Sequence, residues 1–339
     1  MKSKLFFLSG MLIITLASCT SDSMNPFDSP QMLHTAAVDV YVAGRQLSTT
    51  GELTKAVYWK NNIPTYLTDG THWAGAEKIR VVGDDVYVLG NENNDSNRIQ
   101  YKLWKNGLSI PFITNEFCVP TDFWVDGVDV YVVGKNENGE VAYWKNGVQN
   151  VLTNNDGTNM SGSIKVVNGD VYIPGYDILY GGALYWKNGT PHPIEAFSLS
   201  PMVPSFEGIE VIDSDVYVLG NYAEYNNDNS PGAPQYGVCW KNGVLTYVGE
   251  YFHAKGISVS FNDVFITGTD NEGACYFKNE ERFALTDSFL DAATEVKVLN
   301  NNVYVSGIIN NPKTGVLWIN GVQSTYPNAY ANDLFVVQN

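Results

Sequence analysis

One hexapeptide recurs along this chain, and its period limits the folds open to it. Asp129-Val-Tyr-Val-Val-Gly134 has counterparts that begin at Asp39, Asp85, Asp170, Asp215, Asp263 and Asn302, with start-to-start spacings of 46, 44, 41, 45, 48 and 39 residues. A second segment follows each copy: Trp59-Lys-Asn-Asn, Trp104-Lys-Asn-Gly, Trp144-Lys-Asn-Gly, Trp186-Lys-Asn-Gly, Trp240-Lys-Asn-Gly, Phe277-Lys-Asn-Glu and Trp318-Ile-Asn-Gly. Periods of this length belong to propeller blades or to helical solenoid units. Alternating Val, Tyr and Ile bounded by Asn-Gly and Gly-Asp pairs is strand-and-hairpin chemistry, which selects the propeller.

Each repeat divides into four short strands. In the copy that opens at Lys78, the first strand is Ile79 to Val82, Gly83-Asp84 turns, and the second is Val86 to Leu89. A polar loop, Asn91 to Asn97, leads to a third strand ending at Trp104, and Asn106-Gly107 turns into a fourth from Leu108. The chain ends fix the topology. The first repeat starts at its second strand, Val38 to Ala43, and an orphan strand, Asp333 to Gln338, is left at the C-terminus. The expected fold is therefore all-β: a seven-bladed β-propeller with four-stranded antiparallel blades, its C-terminal strand completing the first blade and removing an open edge. At 339 residues two domains would be the ordinary expectation, but repetition overrides it.

Residues 1–18 carry Lys2 and Lys4 before an apolar run, Leu5 to Leu16, too short to span a bilayer and suited to export. The run ends Leu16-Ala-Ser-Cys19, which resembles the lipobox of bacterial lipoproteins and marks Cys19 for lipidation. Residues 19–35 are polar and aperiodic, as a flexible tether would be, and residues 36–339 form the propeller. Loss of the signal peptide removes two lysines and no acid, so the formal charge moves from −16 to −18. Such an acid excess argues against nucleic acid as a partner. The remaining cysteines, Cys118, Cys239 and Cys275, are odd in number and are expected as buried thiols. The expected setting is the bacterial cell envelope, as a monomeric outer-membrane lipoprotein that touches the membrane through lipid alone and faces the periplasm or the exterior.

Six of the eight tryptophans sit at one repeat position, so they are expected to fill the space between blades, each burying about 200 Å². The off-pattern aromatics Trp73, Phe117, Trp124 and Tyr251, with His253 beside the last, are candidate ligand contacts. Trp73 and Phe117 lie in loops before two first strands, Trp124 inside one, and Tyr251 and His253 in one of the long, variable connections at one end of the blades (154–162, 196–207, 221–235 and 249–256), where binding residues collect. The second residue of each first strand reads Arg80, Trp124, Lys165, Glu210, Ser258, Lys297 and Phe335 around the ring. This mainly polar position between apolar neighbours is expected to face the centre. Three cations and one acid there give it a local charge of +2, suited to an anion such as a carboxylate.

No metal-ligand spacing, phosphate loop or nucleophile elbow appears, so no metal, no cofactor and no catalytic residue is expected. The lipobox together with the repeated Asp-Val-Tyr-Val-x-Gly and Trp-Lys-Asn-Gly segments resembles an uncharacterised family of bacterial surface lipoproteins built from a single β-propeller. The resemblance implies the fold and carries no catalytic residue across. The expectation is a binding or scaffold module, not an enzyme, for a protein or glycan partner. The alternative is a hydrolase or lyase that acts on polysaccharide through a pair of loop carboxylates.

Overall fold

The computed structural model describes residues 37–48, 51–112, 118–153, 160–177, 182–194, 204–223 and 235–339. Blade 1 contributes β1 (Val38–Leu47), β2 (Thr54–Lys60) and β3 (Ile63–Tyr66). Blade 2 holds β4 (Ala74–Val82), β5 (Asp85–Asn93), β6 (Ile99–Lys105) and β7 (Leu108–Ile110). Blade 3 holds β8 (Cys118–Asp126), β9 (Asp129–Asn136), β10 (Val141–Lys145) and β11 (Val148–Val151). In blade 4 the inner strand is split into β12 (Met160–Ser161) and β13 (Lys165–Val167), followed by β14 (Asp170–Asp177), β15 (Gly182–Lys187) and β16 (Thr190–Pro193). Blade 5 holds β17 (Ser205–Ile212), β18 (Asp215–Ala223), β19 (Gln235–Lys241) and β20 (Val244–Glu250). Blade 6 holds β21 (His253–Ser260), β22 (Asp263–Thr269), β23 (Ala274–Lys278) and β24 (Glu281–Ala284). Blade 7 holds β25 (Ala292–Leu299), β26 (Asn302–Asn310), β27 (Lys313–Ile319) and β28 (Val322–Pro327), and the chain ends in β29 (Ala329–Gln338).

The expected closure is present. β29 lies antiparallel beside β1, with Asp39 opposite Val337 and Gln46 opposite Ala329, and completes a four-stranded first blade in the order β29-β1-β2-β3. The chain is an all-β propeller of seven antiparallel blades.

The repeated residues each have a mechanical reason. In blade 3, Lys145 Nζ lies 2.8 Å from Asp129, and Asn146 Nδ2 donates to Asp129 Oδ1 at 2.7 Å. Asn146 Oδ1 accepts from the Val130 amide at 2.9 Å, and Lys145 sits 5.1 Å from the centre of the Tyr131 ring. The same clasp joins Lys60 to Asp39, Lys105 to Asp85, Lys187 to Asp170, Lys241 to Asp215 and Lys278 to Asp263, all at 2.7–2.8 Å. It ties the second strand of each blade to the third where they meet the short turn. In blade 7, Asn302 and Ile319 remove the ion pair, yet Asn320 keeps both hydrogen bonds, to Asn302 at 2.7 Å and from Val303 N at 2.9 Å. The Phe277-Lys-Asn-Glu hairpin also keeps its clasp and its two-residue turn. Asn106-Gly107, Asn146-Gly147 and Asn242-Gly243 have φ near +50° and +81°, the left-handed pair that a type I′ hairpin requires.

In six of the seven blades the glycine of the hexapeptide answers to a β-bulge. The first strands gain one residue each between Ala76 and Lys78, Pro120 and Asp122, Phe206 and Gly208, Ala254 and Gly256, and Ala293 and Glu295, and β29 does so near Asn332. The bulge presses a carbonyl of the inner strand against the second strand. A Cβ on Gly90 would lie 2.1 Å from Gly75 O, one on Gly134 2.2 Å from Val119 O, and one on Gly307 2.3 Å from Ala292 O. No side chain fits there. In blade 4 the Val171 amide bonds outward to Asn188, so by alternation the Pro174 nitrogen faces the inner strand. Proline has no N–H to give, and the inner strand is interrupted opposite it, between β12 and β13.

The repeated tryptophans pack between blades as expected. Trp240 clusters with Tyr172, Ala183 and Ile194 of the preceding blade, and Trp104 with Tyr41, Ala43 and Ala56 of blade 1. The two ends of the blades differ sharply. Every turn at the clasp end spans two residues, whereas at the other end the fully described connections reach the length of 285–291. One expected long connection is not there: β20 and β21 occupy most of 249–256 and leave only Tyr251 and Phe252 between them.

Candidate functional site

The first strands surround a central cavity of about 220 Å³, lined by Lys78, Arg80, Asp122, Trp124, Lys165, Glu207, Glu210, Glu295, Lys297 and Phe335 among others. Of the predicted central residues, Arg80, Trp124, Lys165, Glu210, Lys297 and Phe335 do line it. The predicted charge is corrected. Asp122 and Glu295 also face in, and Asp333 is fully buried against Arg80, so the acids balance the cations and no net +2 exists. These acids lie two residues before the predicted position on the same strand face, at the place where the bulge resets the alternation. The only sequence signal for them was a period of two counted backwards from Arg80 and its equivalents.

Arg80 is the hub. Its Nη1 donates to Asp333 Oδ2 and its Nη2 to Asp122 Oδ1, both at 2.9 Å, and it is 8% exposed. Asp333 Oδ2 also accepts from the Ile79 amide at 2.7 Å, which couples the C-terminal strand to blade 2. Asp122 Oδ2 accepts from Ser163 Oγ at 2.9 Å and so reaches blade 4. Arg80 therefore belongs to the ring's structure, with both arms engaged, and is not free to hold a ligand. Trp124 stands between two cations, 5.4 Å from the Arg80 guanidinium and 4.2 Å from Lys165 Nζ. These cation–π contacts hold the half-buried ring in the cavity wall.

The carboxyl groups of the cavity are pushed apart. Burial raises Glu295, and Asp333 adds to the effect, while Lys297, 3.0 Å away, opposes it without prevailing. Burial also works to raise Glu210, but Lys165 at 2.7 Å and Lys297 more than offset it and hold that carboxyl below its ordinary value. Burial would depress Lys78, yet Asp333, Asp122 and Glu295 keep its ammonium more firmly protonated than usual. One cavity thus holds a carboxyl biased toward the acid form and another biased toward the ionised form. That is the arrangement that divides acid from base between two like side chains.

The other candidates lie elsewhere. Trp73 is half-buried immediately before β4, and its carbonyl accepts from the Asn93 amide at 2.8 Å. Tyr251 is exposed in the short turn before β21. His253 lies in β21 and not in a loop; burial and Lys255 lower its pKa and favour the neutral ring. Phe252 between them is core, 4.9 Å from Phe277 in an edge-on contact. Phe117, Cys19 and the signal and tether segments fall outside the described residues. Cys118, Cys239 and Cys275 are free and buried, each with its thiol pushed up to about 12 chiefly by burial. Among the described residues no group of three or more His, Cys, Asp or Glu is placed to hold a metal ion.

No protein-family model matches the sequence, and no curated protein matches it. Solved structures with a similar course include the β-propeller domain of the Trilobed protease from Pyrococcus furiosus, 12% identical, covering 76% of this chain and 82% of that one at a TM-score of 0.42. A puromycin-hydrolyzing peptidase of Mycobacterium tuberculosis is 9% identical over 74% of this chain and 52% of that one, TM-score 0.45. The GH43_1 enzyme from Xanthomonas citri, solved with xylose, is 9% identical over 77% of this chain and 88% of that one, TM-score 0.32. All three are enzymes or parts of enzymes by name, and the expectation that this chain is not one is not upheld. That expectation rested only on the absence of a familiar motif. At such identities the likeness reaches the fold and does not choose between binding and hydrolysis. The chain is a β-propeller of seven blades, closed by its own C-terminal strand.

Proposed function

We propose that this propeller hydrolyses a saccharide in its central cavity, with Glu295 as the proton donor and Glu210 as its ionised partner. The observation that carries the reading is the pair itself: two carboxyls line one cavity and their surroundings drive their affinities for protons in opposite directions. Glu295 would protonate the leaving oxygen, and Glu210 would serve as base or nucleophile at the sugar carbon. Both sit on inner strands, so the catalytic carboxylates sought in the loops are moved to β17 and β25. The cavity is smaller than the roughly 300–1,000 Å³ of sites for drug-sized ligands, which favours the end of a chain over its middle. The expected lipid anchor on Cys19 would place this activity in the bacterial cell envelope.

The test is to assay the mature protein against neutral and acidic polysaccharides for release of new reducing ends. Activity should fall at least about 100-fold in Glu295→Gln and in Glu210→Gln, with the folded state retained. Saturable glycan binding without turnover would return the cavity to a binding role. Failure of every glycan both to bind and to react would end the saccharide reading.

A further inference from the structure

We propose that the rim of the propeller between blades 7, 1 and 2 carries a separate ligand site, built on Arg45, for an oxyanion with a neighbouring hydroxyl group, the chemistry of a sugar acid. Arg45 leaves β1 between two aromatic rings, with its guanidinium carbon 5.0 Å from the centre of the Trp73 ring and 4.4 Å from that of Tyr330. A guanidinium held this way is oriented before any ligand arrives, so little side-chain freedom remains to be lost on binding. Among the described residues it has no hydrogen-bond or ion-pair partner, and its Nε is buried with nothing to donate to. A planar fork with unused donors is the geometry that takes a carboxylate or phosphate through paired N–H bonds.

Two more observations point to an occupant. Lys313 donates to the Tyr330 hydroxyl at 2.7 Å and lies 4.6 Å from the centre of that ring, so a second cation borders the same aromatic. Asn91 lies opposite Gly75, where an added Cβ would come within 3.8 Å of Arg45 Cδ, so its side chain projects from the same sheet face. Its Oδ1 is buried without a donor. An unused donor on Arg45 and an unused acceptor on Asn91 ask for a ligand that offers an oxyanion and a hydroxyl together.

The acid facing this place is Glu77, which makes no ion pair with Arg45 among the described residues. Its Oε2 accepts from Asn332 at 3.0 Å, and burial raises its carboxyl in spite of Arg45. Tyr330 precedes the cavity's Asp333 by three residues on β29, roughly 10 Å of strand, so the rim site is distinct from the central cavity and does not depend on its chemistry.

The experiment is an NMR titration of the mature protein that follows the Arg45 Nε–H signal, with sodium glucuronate as the probe and glucose, acetate and inorganic phosphate as separate arms. Glucuronate should move the signal saturably, and glucose should not. Arg45→Lys, which keeps the charge and loses the fork, should weaken glucuronate binding at least tenfold by calorimetry, and Lys313→Gln should weaken it less. Asn91→Ala should weaken glucuronate while leaving acetate unchanged. A linear shift shared by all salts, or full binding by folded Arg45→Lys, would overturn the site. Equal affinity for acetate, phosphate and glucuronate would overturn the assignment to hydroxylated acids.

Discussion

Two sets of charges are built into this propeller, and they obey different rules. The clasps at the short-turn end are exposed and repeated: the same Lys, Asp and Asn make the same contacts in six blades, and the seventh keeps the hydrogen bonds after losing the ion pair. The central charges are buried or half-buried and follow no repeat around the ring. Position by position the inner strands offer Lys78, Asp122, Ser163, Gly208, Gly256, Glu295 and Asp333, then Arg80, Trp124, Lys165, Glu210, Ser258, Lys297 and Phe335. Where every blade must solve the same hairpin problem, the residues are alike. Where the blades meet on the axis each residue answers to its neighbours in the ring, and the variety there marks the place with room for chemistry.

The contrast can be broken at its foundations. Deleting residues 329–339 removes β29 and with it Asp333, leaving β1 as an open inner edge. We expect loss of cooperative denaturant unfolding and association in solution, read by equilibrium melts and light scattering. Gly90→Ala places a methyl group 2.1 Å from the Gly75 carbonyl, which the bulge cannot yield without opening the blade. It should lose about 3 kcal/mol in a urea melt. A melt indistinguishable from the parent would refute the account of the repeated glycine.

Arg80→Met sharpens the comparison directly. It strands Asp122 and Asp333, 1% and 0% exposed, without their cation and should cost about 3–5 kcal/mol. Lys145→Met removes a clasp cation that is open to water and should change the same melt little. Equal losses in the two variants would erase the distinction between the sets.

The smallest effect is in pH. Asp39 is held at about 2 by hydrogen bonds from Lys60 and Asn61, and Asp85, Asp129, Asp170, Asp215 and Asp263 are lowered by their own clasps. A depressed acid stabilises above its unfolded value of roughly 3.9 and loses that contribution as pH falls through the folded one. Clasp stability should therefore disappear on acidification from about pH 4 toward 2. Glu295 is raised by burial and runs the other way: its contribution is present below roughly 4.3 and is lost as pH rises through its folded value. Stability measured across pH should shift in favour of Glu295→Gln, relative to the parent, as pH rises above that point. A difference independent of pH would show that Glu295 titrates as an ordinary exposed acid.

The sequence by itself determined the number of blades, the closure of head by tail and the structural role of the repeated Trp, because each rests on short-range pattern. A two-residue turn, a period of two and an aromatic at one place per repeat are all local. The predicted central position was legible for the same reason, since one alternating strand declares which side chains share a face. The acids two residues before it were harder to single out: counting back by two from Arg80 reaches them, but how far that face extends before the bulge between Ala76 and Lys78 and its equivalents is set only by register with the neighbouring strand. The partners of Arg80 were out of reach for a second reason. Asp122 and Asp333 stand 42 and 253 residues away in the chain, and only closure of the ring brings them to one guanidinium. Arg45 shows the same division: its place on β1 follows from the repeat, but Tyr330 comes to one side only when blade 1 is finished by the last strand of the chain, and Trp73 to the other only when blade 2 packs beside it.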